Sequence, residues 1–528
     1  MKLGLIREID NDAIALAKSL NLDGLIYLKI AGSVKKNALL NYKLIDAYQY
    51  DEIACDRCYT EINELLKEMQ KKIPSLFIYK YYDLFYALLK DIYWSVLDDF
   101  IMMVANEKMQ ADKHEVRVLK VESMLKNRIS IAKKCINSLV RKPQVNFDIP
   151  ELKNKIGARV DNLFCLENYG YLPETIGVNN FFAFWRGKIE GAAKELLKKR
   201  NIPKIEWKPE VGLTIGIIDA VRIPLVSNPK YINLVLIHRS NLISAIEFYE
   251  AIAQKRPRAL IVDAGECQGE GILLHQIAKK YKFLSVNIMN GTKIGKPSDK
   301  HADFDVWVMH NEMLQKVMSS YCELPKDRLP VLGHLGEDIV KGHRYLHTLD
   351  QWLPFIKDKV VVSLFTSTYS KAEKKEVMDA LIEILQNRND IVVLIRSHPF
   401  EFKNGEVDIH SSPHERMKYL PEHDQPIKSL YDLLYLSDMS ISFASAVMYQ
   451  SSWFGITTIT YEHSEKSKLI YTPGKNIVHV NNKNDLNKII QSVTTSKKKE
   501  INQSQGEHVH AVAKKIANHI LQHEVSVN

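Results

Sequence analysis

Residues 391–401 read IVVLIRSHPFE, an apolar run that ends in a cation, a hydroxyl and a His-Pro pair. Five consecutive apolar residues, mostly β-branched, predict a strand buried on both faces of a parallel sheet. In an open α/β sheet, ligands bind outside the carboxyl ends of the strands. The side chains of Arg396 and His398 can both bind an anion there, and Pro399 disfavours helix at the residue before it. The stretch therefore predicts a doubly wound α/β sheet with an anion site at this strand end.

The sequence on both sides of this stretch alternates between strand and helix patterns. Strand, helix, strand, helix, strand is the rhythm of a doubly wound half-sheet. The runs are KVVVSLFTSTYS (359–370), KAEKKEVMDALIEILQNR (371–388), SLYDLLYLSD (429–438), MSISFAS (439–445), AVMYQSSWFG (446–455) and ITTITYE (456–462).

Two other strand ends of this half-sheet carry hydroxyl groups. One ends in Thr366, Ser367 and Thr368, and the other in Ser442 and Ser445, where a helix should begin. A hydroxyl at a helix start can cap that helix, and it can also bind a phosphate. Three strand ends that converge on one place favour nucleotide binding over capping alone.

A similar alternation fills residues 155–330. The strand-like runs are NLFCLEN (162–168), VGLTIGIID (211–219), INLVLIH (232–238), RALIVDAG (258–265), FLSVNIMNG (283–291) and FDVWVMH (304–310). They predict a second Rossmann-like sheet, joined to the first near residues 333–358 and facing it across a cleft. Asp263 and Glu266 follow one of these strands and are candidate general bases, with a solvated turn or a helix cap as the alternative.

The N-terminal part of the chain has a different texture. Residues 1–50 hold short apolar runs consistent with strands, and residues 52–142 are mainly helical in pattern. Residues 76–107 are dense in aromatic side chains, which predicts a thick packing helix. A face that binds an acceptor or a membrane surface is the alternative.

Composition limits the classes of protein that fit. The apolar fraction of 46% and charged fraction of 26% are typical of a globular protein, and no run has the roughly 18 apolar residues of a membrane span. The first residues lack the apolar core of a signal peptide, and six cysteines in 528 residues do not form a disulfide framework. We therefore expect a cytoplasmic protein. The net charge of +9 is spread over helix ends and loops, which disfavours nucleic acid as a partner.

Several short motifs carry little weight. Cys55 and Cys58 have the CxxC spacing, but no second pair accompanies them and the surrounding pattern is helical. Asp303 and Asp305 form a DFD triplet that imitates a metal-binding DxD but precedes a strand of a doubly wound sheet. The chain has no GxGxxG, no P-loop and no GxSxG motif, which disfavours dinucleotide oxidoreductases, P-loop NTPases and α/β-hydrolases.

The C-terminal half resembles GT-B-fold bacterial surface-polysaccharide glycosyltransferases. It particularly resembles the capsule Kdo and sialic-acid transferases and the CDP-glycerol glycerophosphotransferases. In the CMP-sugar enzymes of that group, an HP motif and a downstream Ser/Thr motif hold the donor nucleotide. His398-Pro399 and the segment from Ser442 to Ala446 occupy the matching places. The family often has Glu in the following helix where this chain has Gln450.

The middle region carries a second resemblance to the same superfamily. Its QHG loop reads Met289-Asn290-Gly291 here, so the family histidine is missing. Upstream, LENYGYLP (166–173) is similar to a Glu-x-Gly segment that supplies the proposed base of capsule transferases. The resemblance assigns that role to Glu167, with Asn168 as the alternative because the spacing differs by one residue.

The resemblance implies an inverting, metal-independent glycosyltransferase without a cofactor. It would move a sugar from CMP-Kdo or a CMP-nonulosonic acid to a surface glycan or a lipid-linked acceptor, and the alternative to a free cytoplasmic protein is peripheral association with the inner face of the membrane. Other readings are CDP-glycerol or UDP-sugar transfer, UDP-GlcNAc 2-epimerase chemistry, and a non-catalytic binding protein. The implied nucleotide site comprises Thr366, Ser367, Arg396, His398, Pro399, Ser442, Ser445, Ala446 and Gln450.

The same resemblance suggests how the chain divides. We expect a GT-B-like fold with an acceptor-side Rossmann-like domain at residues 1–335 that carries a helical insertion at about 52–150. A nucleotide-sugar-binding Rossmann-like domain would follow at residues 336–500, and a C-terminal helix at residues 501–528.

Overall fold

The computed structural model describes most of the chain as three parallel α/β sheets with their helices. The described residues are 1–30, 34, 36–39, 41–119, 149–160, 166, 169–186, 191–207, 229–263, 269–288, 301, 303–343, 345, 347–366, 371–398, 401, 414–420, 427–443, 445, 447–462, 476–494 and 510–523.

The strands in chain order are β1 Lys2–Leu5, β2 Glu8–Ile9, β3 Gly24–Tyr27, β4 Lys29–Ile30, β5 Lys43–Asp46, β6 Ile78–Tyr79, β7 Tyr82–Asp83, β8 Glu115–Val118, β9 Ile156–Arg159, β10 Phe181–Arg186, β11 Lys204–Trp207, β12 Ala259–Val262, β13 Leu284–Ile288, β14 Val306–Val308, β15 Val360–Phe365, β16 Ile391–Arg396, β17 Met417–Tyr419, β18 Met439–Ser442, β19 Thr457–Tyr461 and β20 Ile477–Val480.

The α-helices are α1 Asn11–Ser19, α2 Asp51–Lys72, α3 Phe85–Ala111, α4 Leu172–Ile176, α5 Gly191–Lys199, α6 Pro229–Ala253, α7 Gly269–Tyr281, α8 Glu312–Cys322, α9 Leu335–Lys341, α10 Leu353–Ile356, α11 Lys371–Asn387, α12 Ile427–Leu436, α13 Val447–Trp453, α14 Lys483–Ser492 and α15 Ala511–Gln522.

Each of the three sheets is built outward from its first strand. The N-terminal sheet has the order β5-β3-β1-β8, the middle sheet β11-β10-β9-β12-β13-β14 and the C-terminal sheet β17-β16-β15-β18-β19-β20. All their recorded pairings are parallel, and both six-stranded orders are the 3-2-1-4-5-6 order of a Rossmann fold. The predicted α/β class with two Rossmann-like doubly wound units is therefore confirmed. The N-terminal sheet is a third doubly wound unit, which the sequence did not distinguish.

Alternating side chains give each large sheet a core on both faces. On the C-terminal sheet, Val360 and Val362 pack into one core, while Val361 and Phe365 pack into the other. On the middle sheet, one face shares a continuous core with β1, β3 and the helices α2, α3, α6 and α7. The N-terminal sheet is therefore joined to the middle sheet through apolar packing. The predicted domain boundaries remain a prediction.

One predicted strand is wrong. The run INLVLIH at 232–238 lies inside α6, a helix of 25 residues. Its buried residues Ile232, Val235 and Leu236 have the spacing of one helix face, and Leu242, Ile243 and Ile246 continue it. A short apolar run fits strand and helix equally well, and here the following turns decide for helix. The runs at 258–265, 283–291 and 304–310 do contain strands, VGLTIGIID lies outside the described residues, and Leu166, the described residue of NLFCLEN, is helical.

The aromatic stretch at 76–107 forms most of α3, which is a packing helix. Sixteen of its 27 residues are buried, and it packs against α2, α6 and α7. A helix that is apolar on most of its circumference requires neighbours on most sides, and α3 has them. Within the described residues, no helix combines the length and apolar character that crossing a membrane requires.

Candidate functional site

Three strand ends meet at the point where the order of the C-terminal sheet reverses. Phe365, the last residue of β15, is the register partner of Arg396 on β16 and of Ser442 on β18. Partners in a parallel ladder point to the same face, so Arg396 and Ser442 flank Phe365 in one row. Such a switch point is where doubly wound sheets bind ligands at their carboxyl edge. The predicted convergence of these strand ends is therefore present.

At this edge Thr366, Ser397 and Ser442 are buried, and Arg396 and His398 are partly buried. Burial lowers the pKa of the Arg396 guanidinium to about 10, so the side chain remains a cation at neutral pH. The hydroxyls of Ser397 and Ser442 are enclosed, with residue exposures of 2% and 0%, and neither has a hydrogen-bond partner among the described residues. A buried hydroxyl without a partner costs about 1–3 kcal/mol, so this edge is suited to a polar ligand.

A residue that the sequence analysis missed organises the loop after β16. The carboxylate of Glu401 accepts hydrogen bonds from the Thr366 hydroxyl and from the His398 N–H, the latter at 2.8 Å. It also forms an ion pair with Lys374 of α11 at 2.5 Å. The Glu401 N–H in turn donates to the His398 carbonyl at 2.8 Å, so Glu401 and His398 contact each other through two hydrogen bonds. The sequence signal was the acid three residues after the His-Pro histidine.

The other predicted nucleotide-binding residues divide into two groups. Ser445 lies at the start of α13, where its hydroxyl accepts from the Val447 N–H at 3.5 Å, as the capping alternative expects. Gln450 is buried in the middle of α13. Ser367, Pro399 and Ala446 lie outside the described residues.

The middle sheet has a comparable switch point between β9 and β12. Arg159 ends β9, and the buried Asp263 directly follows β12. Arg159 forms an ion pair with Glu270 of α7 at 2.5 Å and donates to the Tyr249 hydroxyl at 3.3 Å. Asp263 therefore lies at the carboxyl edge of the middle sheet, where doubly wound sheets bind ligands. Glu167, Asn168 and Glu266 lie outside the described residues.

The N-terminus of α7, the helix that follows β12, is occupied by a side chain of α3. The Gly269 N–H donates to Asp91 of α3 at 2.8 Å. This carboxylate accepts from one of the free N–H groups and lies at the positive end of the helix dipole, a place that would otherwise suit a phosphate. The middle sheet is thus the less suitable of the two large sheets for a nucleotide.

The carboxyl edges of the two large sheets approach each other through α13. Tyr449 of α13 hydrogen-bonds Asn311, which caps α8 just beyond the end of β14. The Trp453 ring lies 5.0 Å from that of His334, the N-cap of α9, and the His334 ring is 4.3 Å from that of His310. Helix α13, which follows the candidate nucleotide edge, therefore also contacts residues that follow β14 of the middle sheet.

The weaker motifs have structural roles. Cys55 and Cys58 lie buried on α2, where burial raises the pKa of the Cys58 thiol and disfavours the reactive thiolate. Asp303 and Asp305 precede β14, at the edge opposite the strand ends, and form ion pairs with His275. No group of three or more metal-binding side chains occurs within the described part of the chain.

Comparisons with known proteins give a likeness of fold. No family model and no curated protein matches the chain. Among solved structures, it is similar to UDP-GlcNAc 2-epimerase from Methanocaldococcus jannaschii, with 12% identity, a TM-score of 0.46, and 70% of this chain and 100% of that chain covered. It is also similar to the UDP-GlcNAc 2-epimerase from Neisseria meningitidis bound to UDP-GlcNAc, with 12% identity and a TM-score of 0.45. That match covers 70% of this chain and 99% of that chain. For the enzyme from Rickettsia bellii, the identity is 14% and the TM-score 0.44, and the match covers 70% of this chain and 97% of that chain. At these levels the likeness says nothing about the reaction of this chain.

Proposed function

We propose that the protein is a glycosyltransferase that holds the nucleotide of an activated sugar at the carboxyl edge of the C-terminal sheet. The observation that carries the proposal is the convergence of Thr366, Arg396, His398 and Ser442 at the switch point between β15 and β18. A partly buried guanidinium, at the same sheet edge as two buried hydroxyls that have no partner among the described residues, matches the charge and the acceptor oxygens of a phosphate.

The chemistry divides between the two large sheets. As the donor's bond to its nucleotide breaks, negative charge grows on the departing phosphate, and Arg396 and His398 stabilise it. A carboxylate on the opposite sheet removes the proton of the attacking hydroxyl, and Asp263 is the described candidate for that base. Glu167 and Glu266 remain further candidates. The acceptor is a hydroxyl of a growing glycan.

We propose a CMP-linked 2-keto sugar as the donor, because the His-Pro pair and the Ser442–Ala446 segment match the positions of the CMP-sugar enzymes. CDP-glycerol transfer, UDP-sugar transfer and epimerase chemistry are the alternatives. An epimerase would convert a free UDP-sugar without an acceptor, whereas a transferase requires one. A binding protein would bind a nucleotide and catalyse neither epimerisation nor transfer.

The test measures thermal unfolding of the full chain with CMP, CDP, UDP, GDP and ADP. A nucleotide present at one hundred times its dissociation constant adds about 2.7 kcal/mol of stability to the protein that binds it. We expect CMP to raise the midpoint and His398→Ala to abolish that shift. His114→Ala, whose side chain lies in the N-terminal unit, is the matched control and should keep the shift.

Two outcomes would contradict the proposal. Selective stabilisation by UDP or CDP would replace the CMP-linked donor with one of the other chemistries. Absence of a shift with every nucleotide would remove nucleotide binding itself.

A further inference from the structure

Glu401 places a fully buried carboxylate beside the candidate nucleotide edge. Its side chain is 1% exposed, and its three donors are the Thr366 hydroxyl, the His398 N–H and the Lys374 ammonium. These donors come from the end of β15, the loop after β16 and the first turn of α11. One carboxylate therefore ties together three consecutive parts of a single β-α-β unit.

The ion pair with Lys374 makes this arrangement compatible with an anionic ligand. A buried carboxylate without a partner cation is costly, and it would repel a phosphate at the same edge. The Lys374 ammonium lies 2.5 Å from Glu401, with its side chain 20% exposed. The pair adds no net charge to the edge, so the positive charge of Arg396 is not cancelled there by Glu401.

The Thr366 hydroxyl contacts both Glu401 and the main chain of His398. Because it donates its proton to Glu401, its oxygen remains an acceptor, and the His398 N–H lies 3.3 Å from it. The same N–H donates to Glu401 at 2.8 Å, so the main chain at His398 is held by both side chains. Charge-assisted bonds of this kind are about twice as strong as neutral ones.

We infer that Glu401, neutralised by Lys374, is a positioning residue that fixes the backbone from which the His398 imidazole binds the donor nucleotide. The inference rests on the proposed function, because that proposal gives His398 its ligand. The inference adds Glu401 and Lys374 to the residues on which nucleotide binding depends, although neither side chain touches the nucleotide.

The first experiment compares Lys374→Met, Lys374→Arg and Lys375→Met in the full chain. Lys375 is the matched control, because it is the next residue on α11 and pairs with the exposed Asp379. Calorimetric titration with CMP, and separately with UDP, gives the dissociation constant. Lys374→Met should weaken binding about tenfold, the size of one lost charge-assisted hydrogen bond, while Lys374→Arg restores it and Lys375→Met leaves it unchanged.

The second experiment measures amide hydrogen exchange of the nucleotide-free protein in the peptide that contains His398. Exchange there should be about tenfold faster in Lys374→Met and in Glu401→Gln than in Lys375→Met, because the acceptor of the His398 N–H is loosened. If Lys374→Met does not fold, the double variant Glu401→Gln/Lys374→Met, which buries no unpaired charge, is measured and should show the same acceleration.

The results separate the inference from the proposed function. If the unaltered protein binds neither CMP nor UDP and no other nucleotide of the panel stabilises it, the proposed function fails and the inferred role toward a nucleotide fails with it. If it binds one but exchange at His398 is unchanged in the variants, Glu401 does not position this loop. Faster exchange with an unchanged dissociation constant would overturn the link between the loop and the nucleotide.

Discussion

At the scale of single residues, Gly269 shows how closely α3 and α7 approach. A Cβ atom at this position would lie 2.4 Å from the Ala87 carbonyl oxygen and 2.8 Å from the Asp91 carboxylate. The nearer atom belongs to the backbone of α3, which cannot rotate away. Residue 269 must therefore lack a Cβ atom, as only glycine does, for its N–H to reach Asp91.

We predict that Gly269→Ala destabilises the protein by about 1–3 kcal/mol, the usual cost of overpacking. The gain in helix propensity from alanine is smaller than the cost of separating two packed helices. The measurement is the midpoint of thermal unfolding. Gly191→Ala is the control, because nothing lies within 4 Å of its added Cβ and it should leave the midpoint unchanged or raise it slightly. Equal midpoints for both variants would contradict the predicted clash.

At the scale of elements, His275 links α7 to the beginnings of β13 and β14. Its ring nitrogens lie 3.1 Å from Asp303 and 3.6 Å from Asp305, and Ser285 is 3.1 Å away. Burial alone would lower the pKa of His275, but its hydrogen bonds and charge interactions with the two carboxylates outweigh burial and raise it. Lys279 and Arg328 also face Asp303, which they help to keep ionised.

This linkage predicts a loss of stability on the alkaline side. Because the folded pKa of His275 is raised, its contribution is complete below the pKa of an unfolded histidine and disappears as pH rises through the folded value. The pKa values of Asp303 and Asp305 are lowered, so their contribution is lost only in acid. We expect the unfolding midpoint to fall between about pH 6 and pH 9 in the unaltered protein. The fall should be smaller in His275→Gln, and an identical fall in both proteins would exclude His275 as its source.

The sequence predicted elements well where two independent signals agreed. The strand at 391–396 combined β-branched residues with a polar break at Arg396, and both its type and its end were correct. The run at 232–238 had apolar character alone, and the α6 helix was missed because its periodicity is visible only over several turns. Strands such as β9, with the short sequence IGAR, were missed because their pattern depends on neighbours that no local signal reveals.

The candidate site was predictable to the level of strand ends and no further. The carboxyl ends of buried strands can be read from a sequence, and the general rule for doubly wound sheets then places them at one edge. Which hydroxyl binds a ligand and which binds a neighbour depends on contacts between distant residues. Thr366 was predicted as a ligand for nucleotide, yet its proton is donated to Glu401, 35 positions along the chain.

At the scale of the whole molecule, the chain returns to the middle unit after completing the C-terminal sheet. Helix α15 packs against α4 and α9, and Val512, Ile516 and Ile520 enter the second core of the middle sheet. This crossing joins the two large units in addition to the contacts of α13. Sequence predicted a terminal helix, but its docking site could not be inferred from a helical pattern.

Two charged residues of the middle unit hold the opposite ends of α15. Asp338, which is fully buried, accepts from the N–H groups of Val512 and Ala513 at 3.1 and 2.8 Å. At the other end, Arg258 donates to the carbonyls of Ile520, Leu521 and His523. An anion at the N-terminus and a cation at the C-terminus both match the helix dipole.

We predict that Asp338→Asn and Arg258→Gln each release α15 from the middle unit. Loss of a helix cap costs about 0.5–2 kcal/mol, and at Asp338 two N–H groups would have to share one amide oxygen. Brief digestion with trypsin should then cut faster after Lys514 and Lys515, which lie within α15. Asp12→Asn, at the exposed start of α1, removes a similar charge elsewhere and should leave cleavage at these lysines unchanged. If the Asp338 and Arg258 variants are cut no faster than Asp12→Asn, apolar packing alone holds α15, and the charged caps are not needed to join the two units.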